Sequence, residues 1–184
     1  MKSIAVYCGS SFGNNPNIIT VTKKLGQLLA ESNITLIYGG AKVGLMGAVA
    51  DEVLAFGGNV VGIIPKFLAK REVAHTGISE LIMVNDMHER KMKMIEMSDG
   101  FITLPGGLGS MEELFEVLTW RILGQHNKPL GILNIDSFYD HLLTMMNEMV
   151  IKGFVKPQSL ELLHCSTSPE SLLQLMQKEM GNKI

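Results

Sequence analysis

A chain of 184 residues, 46% of them hydrophobic and 18% charged, is long enough to bury one full core and too short for two ordinary domains, so residues 1–184 are expected to form a single domain. A formal charge of -2 gives no electrostatic footprint for nucleic acid or an anionic membrane, and the expected ligand is therefore small. Cys8 and Cys165 lie far apart in sequence, which reads as reduced thiols in a cytoplasmic protein; the first apolar run is too short for a signal peptide, and no later segment has the length of a membrane span.

Short β-rich runs alternate with amphipathic stretches along the chain. Residues 4–8 predict a strand, and residues 17–31 a helix with Ile18, Val21, Leu25, Leu28 and Leu29 on one face. A strand over 35–38 and a helix over 45–56 follow, closed by Gly57-Gly58 before the apolar run 60–64. Residues 81–84 precede a helix from about 88 to 98; the apolar run 100–104 precedes a helix on which Met111, Leu114, Phe115, Leu118 and Ile122 recur at helical spacing. The run 130–133 precedes a helix over 138–152 ended by Gly153, and Ser168 with Pro169 opens a terminal helix. Of thirteen methionines, seven are grouped at 87–97 and 145–149; most follow helical faces and are read as core or dimer-interface fillers.

Strands apolar on both faces, alternating with helices, predict an α/β fold: a Rossmann-like three-layer arrangement with a mostly parallel sheet covered by helices on both faces. In that architecture the strand-to-helix junctions open on one edge of the sheet, where ligands bind. Four junctions should therefore share a cleft: Cys8-Gly9-Ser10-Ser11; Tyr38-Gly39-Gly40 through Gly47; Asn85 through Lys91; and Pro105-Gly106-Gly107-Leu108-Gly109-Ser110.

The last of these supports two readings. Glycines before a helix start let an anion approach unpaired backbone N–H groups, with Ser110 adding a hydroxyl and Glu112 and Glu113 standing beside it. Ser110-Met111-Glu112-Glu113 also fits a capping box, in which the serine caps the helix and the glutamate reaches back. Arg90 and Lys91, near a helix start where positive charge matches the dipole poorly, suggest a compensating anion; the alternative is a solvated helix start partnered by Glu89.

Other chemistries find no pattern. The glycine segment carries Glu112 where a dinucleotide fingerprint needs its third glycine, there is no G-x-x-x-x-G-K-[ST] phosphate loop, and the five histidines lack metal-ligand spacing, so neither metal nor cofactor is expected. Ser10 and Ser110 stand in no nucleophile elbow.

Taken together, Tyr38-Gly39-Gly40 with Gly44-Leu45-Met46-Gly47, Met87-His88 with Arg90-Lys91, and Pro105-Gly106-Gly107-Leu108-Gly109-Ser110 with Glu113 resemble the LOG family, the cytokinin riboside 5′-monophosphate phosphoribohydrolases long labelled possible lysine decarboxylases. The resemblance runs from Cys8-Gly9-Ser10 to Gly153-Phe154, with Ser110 at the family's usual threonine and Ala41 at a position that is often glycine. It implies hydrolysis of the N-glycosidic bond of a nucleoside 5′-monophosphate, AMP or an N6-substituted analogue, to free base and ribose 5-phosphate by a homodimer. It also implies the site. Arg90 and Glu113 form the catalytic pair, Gly106, Gly107, Leu108, Gly109, Ser110, Met111 and Glu112 receive the phosphate, and Lys91 helps hold the nucleotide. Glu72 and Thr119 match substrate-contact positions, Ser10 and Gly39 line the cleft, and Met87 is placed for contact with the base. A decarboxylase would need a pyridoxal lysine, and neither Lys42 nor Lys91 stands in such a context. The alternative expectation is a protein that binds a nucleotide or molybdenum cofactor without cleaving it.

Overall fold

Alternation sets the two faces of the first strand, β1 (Ser3–Tyr7): Ile4 and Val6 enter one apolar cluster, Ala5 and Tyr7 another. A computed structural model describes residues 1–69 and 74–181. After β1 come α1 (Pro16–Glu31), β2 (Thr35–Tyr38), α2 (Gly44–Ala55), β3 (Val60–Pro65), α3 (Lys66–Ala69), β4 (Glu80–Val84), α4 (Met87–Glu96), β5 (Gly100–Thr103) and α5 (Leu108–Ile122). The chain continues through β6 (Leu130–Leu133), a 3-10 turn at Ile135–Ser137, α6 (Asp140–Ile151), α7 (Pro157–Leu160), β7 (Leu163–Ser166) and α8 (Pro169–Gly181). Among the described residues no helix is long and apolar enough to cross a membrane.

The seven strands form one sheet in the order β4-β3-β2-β1-β5-β6-β7, and every pairing is parallel. One face packs on α1, α2 and α8 through Leu25, Leu29, Val49, Val53, Leu172 and Met176. The other packs on α4 and α5 through Met94, Ile95 and Val117, with Leu114, Ile132 and Tyr139 extending it beside α6. The three-layer Rossmann-like expectation is met. Strand order reverses between β1 and β5, which pair from Ile4 with Gly100 to Tyr7 with Thr103, and a crevice opens at such a reversal.

The loops beyond that crevice are stitched together by backbone. Gly9 N–H donates to the Pro105 carbonyl at 3.2 Å, and Leu45 N–H donates to the Gly9 carbonyl at 3.1 Å. Beneath them the buried Tyr139 hydroxyl donates to the Leu104 carbonyl at 2.6 Å, and Asn134 Oδ1 receives the Tyr139 N–H at 2.7 Å.

Three expectations change. The helix over 138–152 begins later, at Asp140, because Asp136 and Ser137 adopt left-handed φ values of 48° and 62°. The Asp136 carboxylate accepts from the Asn15 and Asn17 side chains, holding that turn against the start of α1. The short helices α3 and α7 and the edge strand β7 were absent from the sequence reading: four-residue helices show no period, and Leu163-His164-Cys165-Ser166 pairs on one side only. The capping box also gives way. Helix α5 starts at Leu108 behind Gly107, with no side-chain cap, so Ser110 is its third residue and cannot cap it.

Gly44 fixes how closely α2 approaches the loop after β1. Its φ is +57°, and a methyl there would overlap the backbone of Ser10 and Ser11. Backbone cannot move aside as a side chain does. Gly44→Ala is expected to cost about 2 kcal/mol or more, read as a lower urea midpoint with an unchanged slope.

Candidate active site

At the carboxyl edge, beside the β1/β5 reversal, lies a cavity of about 240 Å³. Its floor is Val6, Tyr7 and Cys8; Gly9, Ser10, Gly39 and Met46 form one side, Met87, Arg90 and Met94 another, and Gly107, Leu108, Gly109, Ser110, Glu112 and Glu113 the third. All four junctions singled out in the sequence therefore meet in one place.

Helix α4 delivers Arg90. Asp86 caps the helix by accepting the Glu89 N–H at 2.8 Å, while the Glu89 carboxylate reaches back to Asn85 N–H, also at 2.8 Å. Glu89 is thus spent on the cap, and the solvated arginine it was to partner is not what forms. Arg90 is only 7% exposed, its Nη1 sits 3.8 Å from Met87 Sδ, and its buried Nε has no hydrogen-bond partner among the described residues. A donor left unpaired in this way costs about 1–3 kcal/mol until something accepts from it.

Helix α5 delivers Glu113 from its second turn. The carboxyl is half-buried, and desolvation pushes its pKa up to about 7; the Arg90 charge opposes the rise and Glu112 adds to it. Arg90 and Glu113 border one cavity without forming an ion pair with each other, which leaves the space between them for a ligand. With glycine as N-cap and no side-chain acceptor, the first N–H groups of α5 face the same space. An anion at those amides, a guanidinium on one side and an acid near neutrality on the other suit a phosphorylated substrate whose reaction develops charge.

Of the residues expected at the site, Ser10, Gly39, Met87, Arg90, Gly107, Leu108, Gly109, Ser110, Glu112 and Glu113 line this cavity. Gly106 lines the adjoining hollow of about 410 Å³, and a side chain there would overlap Ser110 Oγ. Met111 packs beside Leu114 and Tyr139, and Thr119 is exposed farther along α5. Lys91 turns away from the cavity: Nζ meets Glu112 Oε1 at 2.5 Å and Glu116 Oε1 at 3.0 Å, joining α4 to α5. The Glu112 hydrogen bond, more than the opposing desolvation, raises the Lys91 pKa. Glu72 lies outside the described residues. The sequence reading missed Tyr7 and Met94, and placed Met46 only within a cleft junction; Met94 stands one helical turn from Arg90, which was the available signal.

A Rossmann-like protein with a small-molecule site at the sheet's reversal point is the class this arrangement defines. The family model described as "Possible lysine decarboxylase" matches residues 46–176. Cytokinin riboside 5′-monophosphate phosphoribohydrolase LOG2 of Arabidopsis thaliana is 46% identical over 177 residues, covering 96% of this chain and 83% of that protein. The cytokinin riboside 5′-monophosphate phosphoribohydrolase of Rhodococcoides fascians is 47% identical over 157 residues, covering 85% and 79%. The chain belongs to this LOG family. Among solved structures, a molybdenum cofactor binding protein from Rippkaea orientalis superposes with a TM-score of 0.72 at 22% identity, covering 97% of this chain and 96% of that one. The molybdenum cofactor carrier protein of Chlamydomonas reinhardtii gives 0.73 at 16%, covering 98% of each chain; both likenesses are of fold.

Two substitutions probe the electrostatics. A methyl on Gly39 would overlap the Arg90 guanidinium, a movable side-chain end, so Gly39→Ala should displace the charge at little cost to the melting temperature while ligand affinity falls at least about tenfold in calorimetry. Glu113 has a folded pKa above the ordinary carboxylate value, so its ionised form opposes folding above about pH 7 and its protonated form does not below about pH 4.5. Glu113→Gln should therefore raise the melting temperature by about 3 °C at pH 8, and by less at pH 5.

Proposed function

We propose that this protein hydrolyses the N-glycosidic bond of a nucleoside 5′-monophosphate, AMP or an N6-substituted adenosine monophosphate, releasing the base and ribose 5-phosphate. The observation that carries the reading is the facing pair: a buried guanidinium with a spare donor and a half-buried carboxyl, on separate helices, around one cavity at the start of α5. The relatives' names supply the reaction class, and the residues supply a way to perform it.

The phosphate rests on the free amides of α5 near Gly107, Gly109 and Ser110, with Ser10 at the opposite wall. Breaking the ribosyl–nitrogen bond builds positive charge on the sugar, and ionised Glu113 stabilises that charge more than it stabilises the ground state. The same carboxylate accepts a proton from the attacking water. Arg90 donates to substrate oxygen through Nε, which has no hydrogen-bond partner among the described residues. On this reading the active unit is a cytoplasmic homodimer. Ile122, Leu123, Met145 and Ile151 leave apolar side chains of the α5 and α6 regions exposed, and a second copy would cover them.

Purified protein incubated with a panel of nucleoside monophosphates is expected to release free base from AMP or its N6-substituted analogues; wild-type protein inert towards the whole panel, or binding AMP without cleaving it, ends this reading. Arg90→Ala and Glu113→Gln should each lower kcat/KM by at least about a hundredfold with the fold retained. Because the reaction needs ionised Glu113, and burial holds its pKa near 7, kcat/KM should climb with pH through about 7, with the acid limb governed by that one group.

A further inference from the structure

The reaction proposed above needs a water held on the open face of ribose C1′, and a carboxylate alone fixes only one of its two O–H bonds. A second contact is needed to aim the lone pair, and misplacement of reacting atoms is costly in rate. Three tyrosines occur in the chain, and their hydroxyls have different fates. Tyr139 donates to the Leu104 carbonyl, and Tyr38 is buried, its hydroxyl without a hydrogen-bond partner among the described residues and outside the cavity that holds Arg90 and Glu113. Tyr7 borders the cavity that holds Arg90 and Glu113, and its hydroxyl has no hydrogen-bond partner among the described residues.

Tyr7 is also held still. It is the last residue of β1, 3% exposed, and its ring lies within 8° of parallel to Phe101 with centroids 6.1 Å apart. The charged groups around the phenol are Glu113, Glu116 and Arg90, with Glu113 the strongest influence among them. The other hydroxyls of the cavity are placed differently: Ser110 stands in the first turn of α5, where a side chain at Gly106 would meet its Oγ, and Ser10 is exposed on the loop after β1.

We propose that the Tyr7 oxygen is the second anchor of the attacking water, which gives one hydrogen to Glu113 and directs the other at the phenol. The inference rests on the phosphoribohydrolase reading. As the water oxygen bonds to C1′, the C1′–N bond breaks and its electron pair leaves with the base. The water proton passes to Glu113 and is the one the base finally acquires, so Glu113 is regenerated as carboxylate. Tyr7 keeps its own proton throughout. Burial, together with Glu113 and Glu116 and against Arg90, holds its pKa well above that of an ordinary phenol, so it stays neutral where Glu113 ionises.

Tyr7→Phe removes one oxygen and keeps the ring against Phe101. With AMP as substrate, kcat should fall at least about tenfold while KM stays within about twofold and the melting temperature within a few degrees. Aqueous methanol supplies a readout that packing would not move. Methanol has a single O–H and cannot satisfy both anchors, so wild-type protein should prefer water strongly. The Tyr7→Phe variant should give a larger share of methyl ribofuranoside 5-phosphate. A kcat within about twofold of wild type overturns the assignment, as does a KM that rises in step with the loss of kcat, or a fall in kcat with the methanol-to-water product ratio unchanged. If wild-type protein releases no base from AMP, the underlying reading fails and this one with it; an active wild type beside an equally active variant removes Tyr7 alone.

Discussion

One residue, Gly9, holds the site together through its two backbone groups. The Gly9 N–H is committed to the loop after β5 and its carbonyl to the first turn of α2, so three strand-to-helix junctions cannot shift independently. Parallel pairing of β1 with both neighbours already sends those junctions to one edge of the sheet, and the Gly9 contacts convert nearness into fixed spacing. A side chain at Gly9 would press on the Ser11 carbonyl and Gly106, which is why the connection is made of backbone. The cavity walls follow from this, since Ser10, Gly39 and Gly107 reach it from the three tied loops.

Within those walls the protein places two groups where neither is comfortable. Arg90 lies buried with a donor that has no partner among the described residues, and Glu113 lies where burial resists its charge. Helix α4 caps itself through Asp86 and Glu89, so neither carboxylate relieves Arg90. Helix α5 leaves its first amides without a side-chain cap, so its positive end stays available. Each helix end is locally complete or incomplete in the sense that leaves the cavity, and not the protein, as the partner of these groups. Such pre-set polar groups suit a reaction in which charge appears at the transition state.

Much of this was legible in the residues. Strands buried on both faces announced a parallel sheet through apolar runs such as Val60-Val61-Gly62-Ile63-Ile64, and a parallel sheet makes junction position a guide to the cleft. The resemblance singled out Arg90 and Glu113, and the fold brings them to one cavity. What escaped depended on contacts between distant segments. Ser110 looks like a cap by local spacing, yet Gly107 is the N-cap and Ser110 already lies inside the first turn of α5. Lys91 adjoins Arg90 in sequence, but the helical turn of about 100° between neighbours faces it to α5 and its carboxylates. The strand β7 is polar at His164 and Ser166 and is paired only with β6, so it lacks the double-faced apolar signature of the central strands.

The Lys91 bridge has a further meaning for recognition. Its side chain is only 12% exposed and spans from α4 to two successive turns of α5, so it works as a strut between the helices that carry Arg90 and Glu113. With strut and sheet both fixed, the gap between guanidinium and carboxyl acts as a caliper whose opening exists before any ligand arrives. A molecule is then selected by whether its length matches that gauge, and the entropy of arranging the jaws is spent once, in folding, instead of at every turnover.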